Sequence, residues 1–298
     1  MSDVTKRPVN AGAEARLFAP VNAGACTVEL IDYMGGDAQI AEAARCSYGK
    51  GTKTVSDDET LIRTLVRERH TSPLEMCELK FSLAMPIFTA RQWIRHRTAS
   101  LNEYSARYSV LEKEFHLPKP HELAPQSAMN KQGREGGYDE ATAGTVLAEF
   151  RTIHDLAYGA YERLIDQNGL NLARETARAV LPSSIMTRLF WKIDLHNLLH
   201  FLALRCDPHA QLEIRQAADA IDGIVADGWP VTREAHMNYV REAVTISRDQ
   251  MGILRLALGG LGVDPASLDL SAIASQRERK AFAGLLGDLF GANAGAGA

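Results

Sequence analysis

Apolar positions in the first third of the chain change period several times. Thr27-Val28-Glu29-Leu30-Ile31-Asp32 alternates and is closed by Gly35-Gly36, which predicts a strand and a turn. Asp37 is then expected to cap a short helix running through Cys46. Ser56-Asp57-Asp58-Glu59 is a helix start, with Ser56 as cap and Glu59 three residues on. Leu61, Ile62, Leu65 and Val66 supply its buried face. That helix ends near His70, and Pro73 disfavours helix at Ser72, so His70 and Ser72 fall on a loop at a helix end. From Glu78 to Phe88 the alternation of Leu79, Phe81, Leu83 and Met85 predicts a strand leading into a helix over 87–97. On that helix Gln92, Arg95 and His96 share a face. Thr98 to Ser105 is polar and reads as a loop, and Tyr108 to Leu111 as a returning strand.

Leu117 to Gly137 is rich in Pro and Gly and forms a long connection. Tyr138 to Asn168 then has helical periodicity, stopped by Asn168-Gly169. Leu170 to Leu181 predicts a second helix, with Arg174 and Arg178 on one face and Pro182 at its end. Ile185 to Ile193 is strand-like, and Asp194 is placed to cap a largely buried helix from His196 to Cys206. Further helices are expected over 209–227 and 232–247, split by Gly228-Trp229-Pro230. The sum is a mixed α/β (α+β) domain, one twisted central sheet covered by several helices. Residues 1–25, where Pro-Val-Asn-Ala-Gly-Ala occurs twice, read as an unpacked arm. Residues 26–250 read as the main domain, and 251–298 as an extension with a frayed Gly/Ala tail.

Composition narrows the classes. At 298 residues, 46% hydrophobic and 23% charged, the chain is an ordinary globular protein. A net charge of −4 argues against a nucleic-acid coat. No signal-peptide core or apolar run of membrane-spanning length is present. Four cysteines without a two-residue spacing fit a reducing cytoplasm.

Against that acidic average, Arg91 to Ser109 holds four arginines, a histidine, a glutamate, an asparagine and several hydroxyls. Arginine forks match phosphate oxygens in pairs, so the run suits an anionic, polar ligand; the competing reading is a solvated basic loop. Arg91 and Arg95, four apart, would cost a helix about 0.2–0.5 kcal/mol unless an anion compensates. His196 and His200 are also four apart, but residue 197 is Asn, not the acid of the zinc-protease helix motif, and no metal is assigned.

Arg95-His96-Arg97, seven residues, then Ser105 resembles the signature of the flavin-dependent thymidylate synthases, together with Asn102-Glu103 and Arg107-Tyr108. Glu68 to Glu75, Ala173 to Arg178 and Leu204 to Gln211 also match, in the right order, over roughly residues 25–245. The resemblance implies reductive methylation of dUMP to dTMP, with carbon from methylenetetrahydrofolate and hydride through FAD replenished by NADPH. It implies a homotetramer with sites shared between subunits. Carried over residue by residue, it places dUMP against Gln92, Trp93, Ile94, Arg95, Glu103, Tyr104, Ser105, Ala106, Arg107, Arg178 and Arg205. It places FAD against Ser72, Arg95, His96, Arg97, Glu103, Asp194, Leu195, His196 and His200. Arg205 and His70 are the implied catalytic residues, Arg205 by favouring ionisation of the uracil N3 proton. A nucleic-acid-binding module, a zinc hydrolase using His196, His200 and His209, and a non-catalytic flavin-storing protein stand as alternatives.

Overall fold

Leu79, Phe81, Leu83 and Met85 alternate along β3 (Glu78–Pro86), and all four are buried. Leu189, Trp191 and Ile193 do the same on β5 (Met186–Asp194), which pairs antiparallel with β3 from Glu78↔Asp194 to Pro86↔Met186. These two central strands give the sheet of this computed structural model its inner face. β2 (Cys26–Met34) pairs on the other side of β3. Its register shifts between Leu30 and Asp32, so the inward phase passes from Cys26, Val28 and Leu30 to Tyr33, as a bulge requires. With β1 (Val21–Ala23) and β4 (Ser100–Glu103) the order is β1-β2-β3-β5-β4, every pair antiparallel. The structure describes residues 9–46, 57–129, 133–259, 261, 264–273 and 275–290.

The described helices in the first unit are α1 (Ala11–Glu14), α2 (Asp37–Arg45), α3 (Asp58–Arg67), α4 (Ile87–Trp93), α5 (Glu140–Ile165), α6 (Arg174–Ala177), α7 (Leu195–Arg205), α8 (Leu212–Gly228) and α9 (Pro230–His236). Helix α8 packs beside β2 and α7, and α3 packs on α9. Trp93, Trp191 and Phe201 form one aromatic cluster with centroids 4.6–5.1 Å apart, joining α4, β5 and α7. The chain divides between Arg241 and Glu242, ahead of the boundary expected at 250. The second unit contains α10 (Arg248–Gly259) and α11 (Gln276–Phe290).

Several expectations are corrected. The described part of 1–25 is not an unpacked arm: Ala13 is fully buried, Asn10 Nδ2 donates to Gly228 O at 2.6 Å, and β1 closes a hairpin on β2. The hairpin turn needs Gly24, whose φ is +62° and whose absent Cβ would strike the Gln216 side chain. Asp37 opens α2 but does not cap it. Its carboxylate accepts from the amides of Val231 and Thr232 and from the Thr232 hydroxyl, so it caps α9. Ser56 lies outside the described residues, and the cap of α3 is Asp57, accepting from Thr60 N at 2.8 Å.

The arginine helix ends at Trp93, not Arg97; Arg95 N and His96 N turn back onto Gln92 O and Trp93 O. Residues 100–103 are an edge strand, invisible to pattern because all four side chains are exposed. Tyr108 to Leu111 is not a strand; Tyr108 N and Ser109 N both donate to Ser105 O and close a turn there. Between 170 and 181 only α6 and a 3₁₀ turn, Arg178–Val180, are helical, and α9 is followed by a π turn over Met237–Arg241.

Candidate active site

Two chain reversals bring the arginine motif and the end of α7 together. After Trp93 anchors α4 in the core, the tightened turn swings His96 onto Phe201, ring centroids 4.8 Å apart and edge to face. Arg205, in the last turn of α7, donates from Nε to His96 Nε2 at 2.9 Å. Burial, reinforced by the charges of Arg205 and His200, lowers His96 to about pKa 4. The ring is therefore neutral near pH 7, with Nε2 as acceptor and the proton on Nδ1. Burial also lowers the Arg205 pKa, yet a guanidinium keeps its charge. With Nε spent on His96, its two terminal nitrogens remain to meet a ligand, in the plane that His96 sets.

The N-terminal end of α4 opens on a cavity of about 270 Å³ lined by Ile87, Glu103, Tyr104, Ala106, Arg178 and Thr187, among others. A seven-residue helix is about 10 Å long, so the cavity and the His96–Arg205 pair lie at opposite ends of one short rod. Pairing of β4 with β5 sets Glu103 against Leu189, and Thr187 Oγ1 donates to Glu103 Oε1 at 2.8 Å. Tyr104 is held by its amide on Arg188 O. Ser105 Oγ accepts only from Arg107 N at 3.3 Å among the described residues. Arg107 pairs with Glu175 Oε2 at 3.0 Å, Arg178 Nε rests on Glu175 O, and Arg174 Nη1 donates to Tyr108 O. Arg174 thus ties down the turn after the motif.

Asp194 and His196 stand at the start of α7, and His70 and Ser72 lie on the segment that leads into a turn packed against that helix. A 3₁₀ turn at Leu74–Met76 packs against α7, and Leu195 N donates to Cys77 O. Arg69, with φ +57°, reverses the chain after α3, and His70 N donates back to Leu65 O. His70 and Ser72 are consequently exposed. Asp194 caps α7 through Asn197 N at 2.9 Å. His196 is half-buried and His200 exposed.

Burial sorts three of the positions that the motifs mark. Trp93 and Leu195 are wholly buried, so their side chains belong to the core and only their backbone can meet a ligand. Ile94 is exposed at the end of α4. Among the described residues Arg91, Arg95 and Arg97 are exposed and form no ion pair. Clustered cations without carboxylate partners among the described residues, beside a neutral histidine and hydroxyls, suit an anionic, phosphate-bearing ligand. No group of three His, Cys, Asp or Glu side chains that could hold a metal is found among the described residues.

Thr187, Glu175 and Gln211 join the site only once the chain is folded. Glu175 and Gln211 stand inside matched motifs, whereas Thr187 becomes visible only through the strand pairing that turns it toward Glu103.

A family model described as Thymidylate synthase complementing protein matches residues 29–231. The chain is 48% identical over 258 residues to a flavin-dependent thymidylate synthase of Gluconobacter oxydans, covering 86% of this chain and 85% of that one. It is 47% identical over 286 residues to one of Ruegeria pomeroyi, covering 95% and 93%. A crystal structure of a UMP/dUMP methylase from Streptomyces cacaoi, bound with 5-Br UMP, superposes with a TM-score of 0.65 at 35% identity, covering 72% of this chain and 95% of that one. These matches show that the chain belongs to the flavin-dependent thymidylate synthase family.

Proposed function

We propose that the protein methylates dUMP to dTMP reductively, taking the carbon from methylenetetrahydrofolate and using FAD and NADPH. The observation that carries this reading is the neutral His96 holding charged Arg205 beside Arg95 and Arg97, which form no ion pair among the described residues. Bound FAD would supply the hydride; the chain supplies binding and polarisation. Arg205 directs its terminal N–H groups at the uracil edge and stabilises the charge left when N3 loses its proton, which makes C5 more nucleophilic. His96 fixes the plane of that fork without adding a second positive charge. Arg178 and Arg107 take the nucleotide phosphate, Ser105 and Tyr104 orient it, and Glu103 lines the cavity with one oxygen engaged by Thr187. Ser72, Arg95, Arg97, Asp194, His196 and His200 hold the flavin, and His70 borders the reacting rings.

The assembly is a homotetramer with sites shared between subunits, in the cytoplasm. Support comes from surfaces one chain leaves uncovered: Phe150, Ile153 and Leu156 on α5, and Leu101 on the wholly exposed edge strand β4. No described helix is long and apolar enough to cross a membrane.

The test is the absorption spectrum of the purified protein before and after NADPH, followed by assay of dTMP formation. Oxidised flavin bands that bleach with NADPH, and dTMP that depends on methylenetetrahydrofolate, are expected. Folded protein that binds no flavin overturns the assignment.

A further inference from the structure

Gln92 lies on α4 between the cavity and the His96–Arg205 pair and is half-buried. Its Nε2 donates to Gln211 Oε1. Gln211, the residue before α8, donates from its own Nε2 to Glu213 Oε2 at 2.8 Å. Glu213 Oε1 faces His116 Nε2 at 3.7 Å, an ion-pair rather than a hydrogen-bond distance. His116 is itself anchored by its amide on Ser184 O.

The direction of this chain is fixed by chemistry. Burial alone would raise Glu213, but the facing His116 ring, its own backbone amide and the hydrogen bond from Gln211 outweigh it and hold the carboxyl below its ordinary value. An ionised carboxylate only accepts. Gln211 must therefore turn its NH2 to Glu213 and its oxygen to Gln92, and Gln92 must answer with its own NH2. Among the described residues no hydrogen bond reaches Gln92 Oε1.

We infer that Glu213, acting through Gln211, is a positioning residue that sets the amide of Gln92 so that its carbonyl oxygen is kept for the nucleotide. This rests on the reading that Gln92 meets dUMP. A glutamine without the relay presents either end of its amide, and the wrong end loses the hydrogen bond it should make.

The experiment is calorimetric titration of dUMP into the flavin-loaded enzyme for Glu213→Gln, Gln211→Ala and Gln92→Ala, and for each relay variant combined with Gln92→Ala. Glu213→Gln and Gln211→Ala should each weaken dUMP binding roughly fivefold to tenfold in the wild-type background. In the Gln92→Ala background the same changes should matter less than about twofold, because their effect runs through a side chain already removed. Equal losses in both backgrounds, or no loss from either relay variant while Gln92→Ala weakens binding, overturn the relay alone. Unchanged binding by Gln92→Ala removes Gln92 from the nucleotide site and the relay with it. Melting temperature and flavin occupancy accompany each titration. Gln211 is exposed and makes no cap hydrogen bond, so Gln211→Ala decides the question even if Glu213→Gln fails to fold.

Discussion

Arg205 and His96, 109 positions apart in the chain, meet through one hydrogen bond of 2.9 Å from Nε to Nε2. The bond divides the work between them. His96 accepts and stays neutral, and the two terminal nitrogens of Arg205 are left outside the bond. Lysine cannot divide itself this way, since it has one nitrogen and no plane. Arg205→Lys should therefore lose roughly 10- to 100-fold in kcat/KM for dUMP, the range of a charge-assisted bond of about 1.5–3 kcal/mol. Steady-state kinetics on flavin-loaded enzyme measures this, and near-wild-type turnover would show that charge alone suffices.

The same pair makes a prediction about pH. His96 has a folded pKa of about 4 against 6.5 for an ordinary histidine. Above pH 6.5 neither folded nor unfolded chain holds the proton, and this group leaves stability unchanged. Between 6.5 and 4 the unfolded chain binds a proton that the folded chain refuses, so stability falls as pH falls. Below about 4 both are protonated and the loss levels off. Buried His236, also at about 4, acts in the same sense. His96→Gln keeps an acceptor for Arg205 but does not titrate. Its melting temperature should decline less steeply than wild type over that window, and superimposable slopes would refute the depressed pKa.

Asp37 carries a structural prediction. Its carboxylate receives three hydrogen bonds of 2.6–3.1 Å from Val231 and Thr232, across 194–195 positions of sequence. Asp37→Ala should cost about 1–3 kcal/mol, because it leaves the start of α9 unsatisfied while Thr232 stays buried. Thermal denaturation reads the loss.

The residues that were legible are those whose neighbours in sequence are also their neighbours in space. Strands β3 and β5 and helix α7 show their inward faces as period, and Asp194 caps the helix it precedes. Asp37 looks like the same kind of cap and is not, since the donors that claim it come from the far end of the chain. Strand β4 escapes detection because backbone pairing to β5 makes it a strand and leaves no buried side chain to mark it. Within the site, motif spacing points to His96 and Arg205 separately. Their mutual bond, and the pairing of Glu103 with Thr187, depend on folding that spacing does not encode. Trp93 shows the converse: the motif resemblance sets it against the nucleotide, yet its ring packs in the aromatic core.

Shared sites can be tested by mixing. Ser72 lies just before the turn at Leu74–Met76 that packs on α7, and Arg178 lines the cavity beside Glu103, on separate parts of one chain. Subunits carrying Ser72→Ala and subunits carrying Arg178→Ala, each inactive alone, should regain activity when exchanged into mixed tetramers. Proven exchange with no recovery of dTMP formation would place every site within one subunit.

The last prediction concerns the nucleophile. A thiolate attacking C6 of the uracil would have to come from Cys206, which follows Arg205 directly. The neighbouring charge does not activate it: burial, the larger influence, pushes its thiol up to about 12, and Asp219 and Asp222 add to the rise against Arg241. At neutral pH that sulfur is protonated and half-buried. Ser105 is no better placed. Its hydroxyl accepts from Arg107 N, and among the described residues no histidine or carboxylate contacts it as a base. Cys206→Ala and Ser105→Ala should each keep measurable turnover, whereas Arg205→Ala should lose far more, because it removes the group that stabilises charge on the ring. A protein–nucleotide adduct on Cys206 or Ser105, trapped during turnover and located by mass spectrometry, would replace polarisation by Arg205 with covalent attack.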